Sequence, residues 1–253
     1  MKARKLSDDI ADRLRTMILQ GVLRPGDRVQ SERQLVETMS ASRPIIREAL
    51  GALESEGLLQ LKRGGLYVRE LTAEPILEPL VTLFRNEPSS FDDYLEFREV
   101  IEGAAAYFAA LRATEIDRQS LKQAFDNFVI SHEKKDPRHE AATDADFHIA
   151  IYEACHNLAI LHIMRGTASL LRNDVFYNRT RLYSRVGYKD ATIEQHRLIY
   201  EAILSGNPEA ARLAAQAHIT FVRKAVEELK KAEQRMDVAR RRLTERQQFT
   251  SME

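Results

Sequence analysis

The stretch that decides the fold is SERQLVETMSASRPIIREALGALESE, residues 31–56. It predicts two helices joined by a tight turn. Ser31 caps the first, over residues 32–39, and Gln34 stands three positions on, where a capping box needs a side chain that reaches back. Leu35, Val36 and Met39 give this helix an apolar stripe. Ser40 and Ala41 make the turn. Ser42 caps the second helix, with Pro44 tolerated in its first turn because the early N–H groups have no intrahelical acceptor. Ile46, Ala49, Leu50 and Leu53 recur at three- and four-residue spacing and mark a buried face. Arg43 and Arg47 fall four apart on the opposite side. A helix start with a hydroxyl and two arginines suits phosphate and base-edge contact. Solvated arginines are also ordinary on an exposed helix face. The flanks separate these readings.

Upstream, residues 6–19 predict an amphipathic helix with Ile10, Leu14, Met17 and Ile18 on its apolar face and Ser7, Asp8 and Asp9 at its start. Gly21 ends it, Pro25-Gly26 is a turn signal, and residues 28–30 read as extended. Downstream, Gly57 closes the second helix of the pair. Residues 58–63 and 66–70 are β-prone runs around Gly64-Gly65, which reads as a hairpin. The order helix, helix, helix, hairpin is that of a winged helix-turn-helix. The second helix of the pair then enters the major groove, and a wing carrying Lys62 and Arg63 meets the backbone or minor groove.

Composition agrees without deciding the matter. The chain has 253 residues, 44% hydrophobic and 30% charged, with a formal net charge of zero. It can bury a core, and only local charge can argue for a nucleic-acid partner. Residues 1–70 hold 13 Lys/Arg against 10 Asp/Glu. No run is long and apolar enough for a membrane span, and the charged start lacks a signal-peptide core, so a cytoplasmic protein is expected. The single cysteine, Cys155, has no internal disulfide partner and falls in a helical apolar pattern, as a structural thiol does.

After residue 70 the chain reads differently. Residues 70–79 are a junction, a short helix from Pro79 to about residue 84 follows, and residues 86–90 are a loop. Residues 91–111, 116–132, 138–156, 158–177, 192–204 and a last helix from residue 209 are helical in pattern, with Ser184 to Asp190 a polar loop. In the first of these, Tyr94, Leu95, Phe97, Val100, Ile101 and Phe108 are expected to face inward. The fold class is therefore mainly α: a winged helix-turn-helix over residues 1–70, a linker and connecting helix over 71–90, an all-helical bundle over 91–235, and a charged tail over 236–253.

Within the bundle, Asp144 and His148 lie four apart on one helical face with Ala141, Ile151, Tyr152 and Cys155, so the pair points inward. His196 and His218 sit among apolar residues of two later helices. One carboxylate and three imidazoles from three helices can enclose a divalent metal, although each histidine taken alone is more often a packed or surface residue. His132, His139, His156 and His162 lack such a setting. Asp146 points to another face, so a metal-dependent enzyme would want for a general base, and it would leave the first 70 residues without a role.

Two resemblances carry further. Residues 6–68 resemble the DNA-binding domain of the GntR family of bacterial regulators. By position this implies DNA contacts at Arg33, Ser42, Arg43, Pro44, Arg47 and Gly65. The sequence departs from the family pattern in having Gln30 before the Ser-Glu-Arg run, where proline is frequent, and two wing glycines instead of three. Residues 91–220 are similar to the FCD effector domain of the FadR branch of that family. The pattern there is an arginine on the first long helix, then D-x-x-x-H, then two histidines, here Arg98, Asp144, His148, His196 and His218. The resemblance implies a bound zinc, nickel or manganese ion on the last four. It also implies a small carboxylate effector at the ion's open positions, helped by the Arg98 fork. The other reading of Arg98 is an ion pair with Glu102, one turn on. Runs such as DDYLEFREVIEGAAAYFAALRAT resemble family members that govern pyruvate metabolism. They imply a homodimeric repressor, not an enzyme, released from operator DNA by pyruvate or a kindred acid such as lactate or glycolate.

Overall fold

The computed structural model describes residues 5–69, 90–133, 137–172, 182 and 187–250. The chain divides into two compact units, Met1–Glu78 and Pro79–Glu253. The expected junction, the short helix from Pro79 and the loop at 86–89 lie outside the described residues.

In the first unit, α1 (Leu6–Leu19), α2 (Glu32–Met39) and α3 (Arg43–Ser55) precede a hairpin of β1 (Leu59–Lys62) and β2 (Gly65–Val68). The capping box forms: Ser31 Oγ accepts from the Gln34 N–H, and the Gln34 side chain accepts from the Ser31 N–H at 3.0 Å. Ser42 occupies the N-cap position of α3, but its side chain makes no capping hydrogen bond. The expectation that it caps through its hydroxyl is corrected there. Nothing reciprocal stands at the third helical position, where Ile45 cannot reach back as Gln34 does. Ser40 takes a left-handed conformation (φ 50°) and turns the chain between the helices. Ile10, Leu14, Ile18, Leu35, Ile46, Leu50, Leu53, Leu59 and Val68 close one core. Each fully buried aliphatic side chain contributes about 1.5–3 kcal/mol.

The hairpin pairs Leu59 with Val68 and Lys62 with Gly65, so the two-residue turn is Arg63-Gly64 and not Gly64-Gly65. Gly64 supplies the positive φ (106°) that the turn needs. The extended segment at Arg28 joins β2 through a bridge to Tyr67, and the Val29 N–H donates to the Leu66 carbonyl at 2.9 Å. The wing is thus joined by an extended segment through a single β-bridge.

Among the described residues, the second unit contains six helices: α4 (Ser90–Arg112), α5 (Glu115–Glu133), α6 (Pro137–Ala154), α7 (Leu158–Arg172), α8 (Tyr188–Leu204) and α9 (Pro208–Thr250). Helix α8 begins a turn earlier than expected. Gly187 is its N-cap with φ 79°, so Tyr188, Lys189 and Asp190 belong to the helix instead of a loop. Helix α9 runs unbroken through the basic tail, 43 residues in all.

Helix α4 differs most from its sequence reading. Tyr94 and Leu95 are buried, but Phe97 is 39% and Val100 61% exposed. The buried face is Arg98, Glu102, Ala105, Ala106, Ala109 and Ala110. The helix is apolar on nearly every side, so periodicity could not choose a face. Small residues face inward because α9 lies close: a Cβ on Gly103 would stand 2.9 Å from Gln216 Cγ. Around this contact, Leu121, Phe125, Phe147, Ile151, Ile199 and Ile203 form the main core.

Candidate functional site

Two places gather the residues singled out in the sequence. The first is the exposed side of α2, α3 and the wing. Arg33, Ser42, Arg43, Pro44 and Arg47 are all exposed, while the neighbouring Ile46, Ala49 and Leu50 are buried. Arg47 Nε lies 2.9 Å from a Glu32 carboxylate oxygen, and Arg33 Nε lies 3.6 Å from Glu37. Exposed pairs of this kind are worth well under about 1 kcal/mol and yield readily to a phosphate. At the wing, the Arg28 guanidinium lies against the backbone of Gly65, where an added Cβ would meet Arg28 Nε at 3.2 Å. Arg28 is a basic group at this face that the sequence reading passed over. Its only signal was extended backbone, and the β-bridge that carries it to the wing is a tertiary contact.

The second place lies inside the helical unit, where α4, α6, α8 and α9 converge. Helix α6 supplies Asp144 and His148 from one face, α8 supplies His196, and α9 supplies His218. All four are buried, with His196 wholly so. Asp146 is exposed, as its position on the opposite face requires. Each of His148, His196 and His218 offers a ring nitrogen within 4.8 Å of the other two. Asp144 stands at the edge of this set, its Oδ1 3.6 Å from His196 Nε2. Phe128 and Phe147 flank His196, with ring centroids at 4.5 and 4.9 Å, and wall the cluster with apolar surface.

Burial and the crowding of imidazoles set the electrostatics. Desolvation, then the neighbouring His148, push His218 down to about 3, and desolvation and His218 hold His196 well below the usual histidine range. Both rings are therefore neutral at pH 7, with lone pairs to offer. Five buried ring nitrogens, both of His148, both of His196 and Nδ1 of His218, have no hydrogen-bond partner. Buried polar atoms seldom go unsatisfied. Imidazole nitrogens left so, beside a carboxylate, suit a borderline divalent ion.

Arg98 and Glu102 complete the pocket from α4. Arg98 is 2% exposed, and its Nε donates to Glu102 Oε1 at 2.6 Å. Glu102 Oε2 faces His148 Nδ1 at 2.9 Å, at ion-pair distance but not aligned as a hydrogen bond. Burial alone would raise the Glu102 pKa. The Arg98 guanidinium, and then the His148 ring beside it, outweigh this and hold the carboxyl well below the ordinary range. The sequence offered Glu102 only as an alternative partner for Arg98, because nothing in α4 announces its proximity to His148. Elsewhere, His156 pairs with Asp117 at 2.8 Å near the surface, and Cys155 is a buried free thiol.

A winged helix-turn-helix followed by a helical unit with a buried ligand-type cluster defines a class: DNA-binding transcription regulators with a sensory domain. The comparisons with known proteins give the family. Residues 6–68 match the bacterial regulatory proteins of the gntR family and residues 93–221 match the FCD domain, so the chain belongs to the GntR family, with an FCD effector domain. It is 37% identical over 224 residues to the "Putative L-lactate dehydrogenase operon regulatory protein" of Escherichia coli (strain K12), covering 87% of this chain and 85% of that one. It is 30% identical over 230 residues to the "Glc operon transcriptional activator" of the same organism, covering 89% and 91%. The solved structure of Streptococcus agalactiae GntR shares the fold, with a TM-score of 0.55 at 24% identity over 86% of this chain and 99% of that one. The family and these relatives are transcription regulators, so the chain is a regulator and not an enzyme. No helix among the described residues is long and apolar enough to cross a membrane.

Proposed function

We propose that the protein is an operator-binding regulator of the FadR branch, controlling genes of organic-acid catabolism. Release from DNA follows binding of a small carboxylate effector at a metal site of Asp144, His148, His196 and His218. The observation that carries this reading is the buried cluster of three imidazoles with unpartnered nitrogens. A zinc, nickel or manganese ion there would supply Lewis acidity for a 2-hydroxy or 2-oxo acid, while the chain's residues select and orient it. The Arg98 guanidinium meets the effector's carboxylate; five donors let it serve both that group and Glu102. With the carboxylates ionised, Arg98, Glu102, Asp144 and a divalent ion leave one net positive charge, which a single carboxylate neutralises.

The names of the relatives favour lactate-type acids over the pyruvate-metabolism genes that runs such as the one in α4 imply. On the output side, Arg33, Ser42, Arg43, Pro44, Arg47 and Gly65 contact DNA. One recognition helix reads few base pairs, so a homodimer on a two-fold site is expected. The effector acts only through its different affinity for the DNA-bound and released states.

The test begins with selection of bound genomic fragments. Fluorescence anisotropy on the best fragment follows, with L-lactate, glycolate, pyruvate and citrate added in turn. Release by one of the three monocarboxylates, and weaker release by citrate, is the expected result. DNA affinity indifferent to all of them would overturn the effector assignment.

A further inference from the structure

The Arg98–Glu102 pair is buried and charged, yet it lies outside the four residues proposed to hold the ion. Such a pair is a costly way to stabilise a helix bundle, because removing two charges from water offsets most of their attraction. Its geometry suggests a use. The Glu102 carboxylate has two oxygens turned to different partners. Oε1 accepts from Arg98 on the preceding turn of α4, and Oε2 stands 2.9 Å from His148 Nδ1 on α6. Tyr152, one turn after His148 on α6, is buried near enough to Glu102 that burial, and then the Glu102 charge, push its phenol well above the usual tyrosine range. The carboxylate is thus gripped from its own helix and from the next, beside one ring of the cluster. Among the described residues the mutually close set of ligand atoms is the three imidazoles alone, so Glu102 stands behind the cluster and not in it.

We infer that Glu102 is a positioning residue that orients His148 for the ion. This rests on the metal site proposed above. A neutral imidazole has one N–H and one lone pair. With Nδ1 toward Glu102, the proton belongs on Nδ1 and the lone pair on Nε2, which points away from the carboxylate. A carboxylate behind a ligating histidine fixes its tautomer and ring angle and raises its basicity. Bringing Nδ1–H into line with Oε2 would turn the present 2.9 Å approach into a hydrogen bond.

The experiment uses the full chain, Zn²⁺ competition against a chromophoric chelator, and the visible absorption of Co²⁺ at the site. Glu102→Gln keeps the shape and removes the charge. It is expected to weaken Zn²⁺ binding about 10- to 100-fold and to shift the Co²⁺ bands. Arg98→Met, which leaves Glu102 beside His148, is expected to bind Zn²⁺ within about threefold of wild type, the loss falling well short of the 10- to 100-fold effect of removing the carboxylate. If Glu102→Gln fails to fold, Arg98→Met/Glu102→Gln removes both charges together and should show the same loss of affinity. Wild-type affinity and an unchanged Co²⁺ spectrum in either Glu102 variant would overturn the inference. So would a loss in Arg98→Met equal to that in Glu102→Gln. A wild-type chain that takes up neither ion would refute the metal reading itself, and this inference with it.

Discussion

Acidifying the metal-free protein tests the electrostatics of the pocket most directly. Burial and neighbouring rings hold His218 at about 3 and His196 well below the usual histidine range. In the unfolded chain both return to about 6.5. A histidine whose folded pKa is depressed binds its proton more readily when unfolded, so stability is full above the unfolded pKa and falls as pH drops below it. At pH 7.5 the loss is negligible. At pH 5.5 each unfolded imidazole is protonated and each folded one is not, which costs about 1.4 kcal/mol per ring and about 3 kcal/mol for the two. The result does not depend on how far below 5.5 the folded values lie. Glu102 does not enter, because its depressed pKa costs stability only below the ordinary carboxylate range. Urea titration of chelator-treated protein, followed by far-UV circular dichroism, should show the midpoint of the helical unit falling by roughly 1–1.5 M between pH 7.5 and 5.5, for a slope of about 2 kcal/mol/M. The His196→Gln/His218→Gln variant should lose most of that dependence. An unchanged midpoint in the wild type, or an equal fall in the double variant, would refute the reasoning.

Other perturbations follow from the same structure. Arg47→Ala, which exchanges an exposed pair with Glu32 for nothing, should leave the melting temperature nearly unchanged while weakening operator binding by about 10- to 100-fold in anisotropy. Leu53→Ala, at a fully buried position of the first unit's core, should cost about 2–5 kcal/mol in denaturant titration. Ser31→Ala removes the Oγ that accepts from the Gln34 N–H, while the backbone N–H of residue 31 still donates to the Gln34 side chain, and should cost about 1 kcal/mol, whereas Ser42→Ala, with no capping bond to lose, should cost much less and act on DNA affinity instead. Gly65→Val places a side chain against Arg28 in a backbone conformation (φ 147°) that disfavours one, and should lower DNA affinity through the wing with the three helices intact by circular dichroism.

Much of this was legible locally. The capping box at Ser31, the turn at Ser40, the face of Ile46, Ala49, Leu50 and Leu53, and the hairpin glycines are each encoded within a few residues, because helix period and turn chemistry are short-range properties. The inward pairing of Asp144 with His148 is of the same kind: four residues apart on one helix puts them on one face whatever surrounds them. What the sequence by itself determined is therefore the element order, the winged head, the all-helical second unit and the separate side chains of the candidate site.

Only the tertiary structure decided the rest. Which side of α4 is buried depended on how near α9 comes at Gly103, and an apolar helix gives no periodic clue to that. The same packing set Glu102 beside His148, 46 positions away in the chain, and turned a one-turn ion pair with Arg98 into the back wall of the imidazole cluster. It also carried Arg28 to the wing through a single β-bridge. In each case the deciding quantity is a distance between elements. The sequence names the groups on every helix face, but only the close packing of α4, α6, α8 and α9 fixes which of them share one pocket.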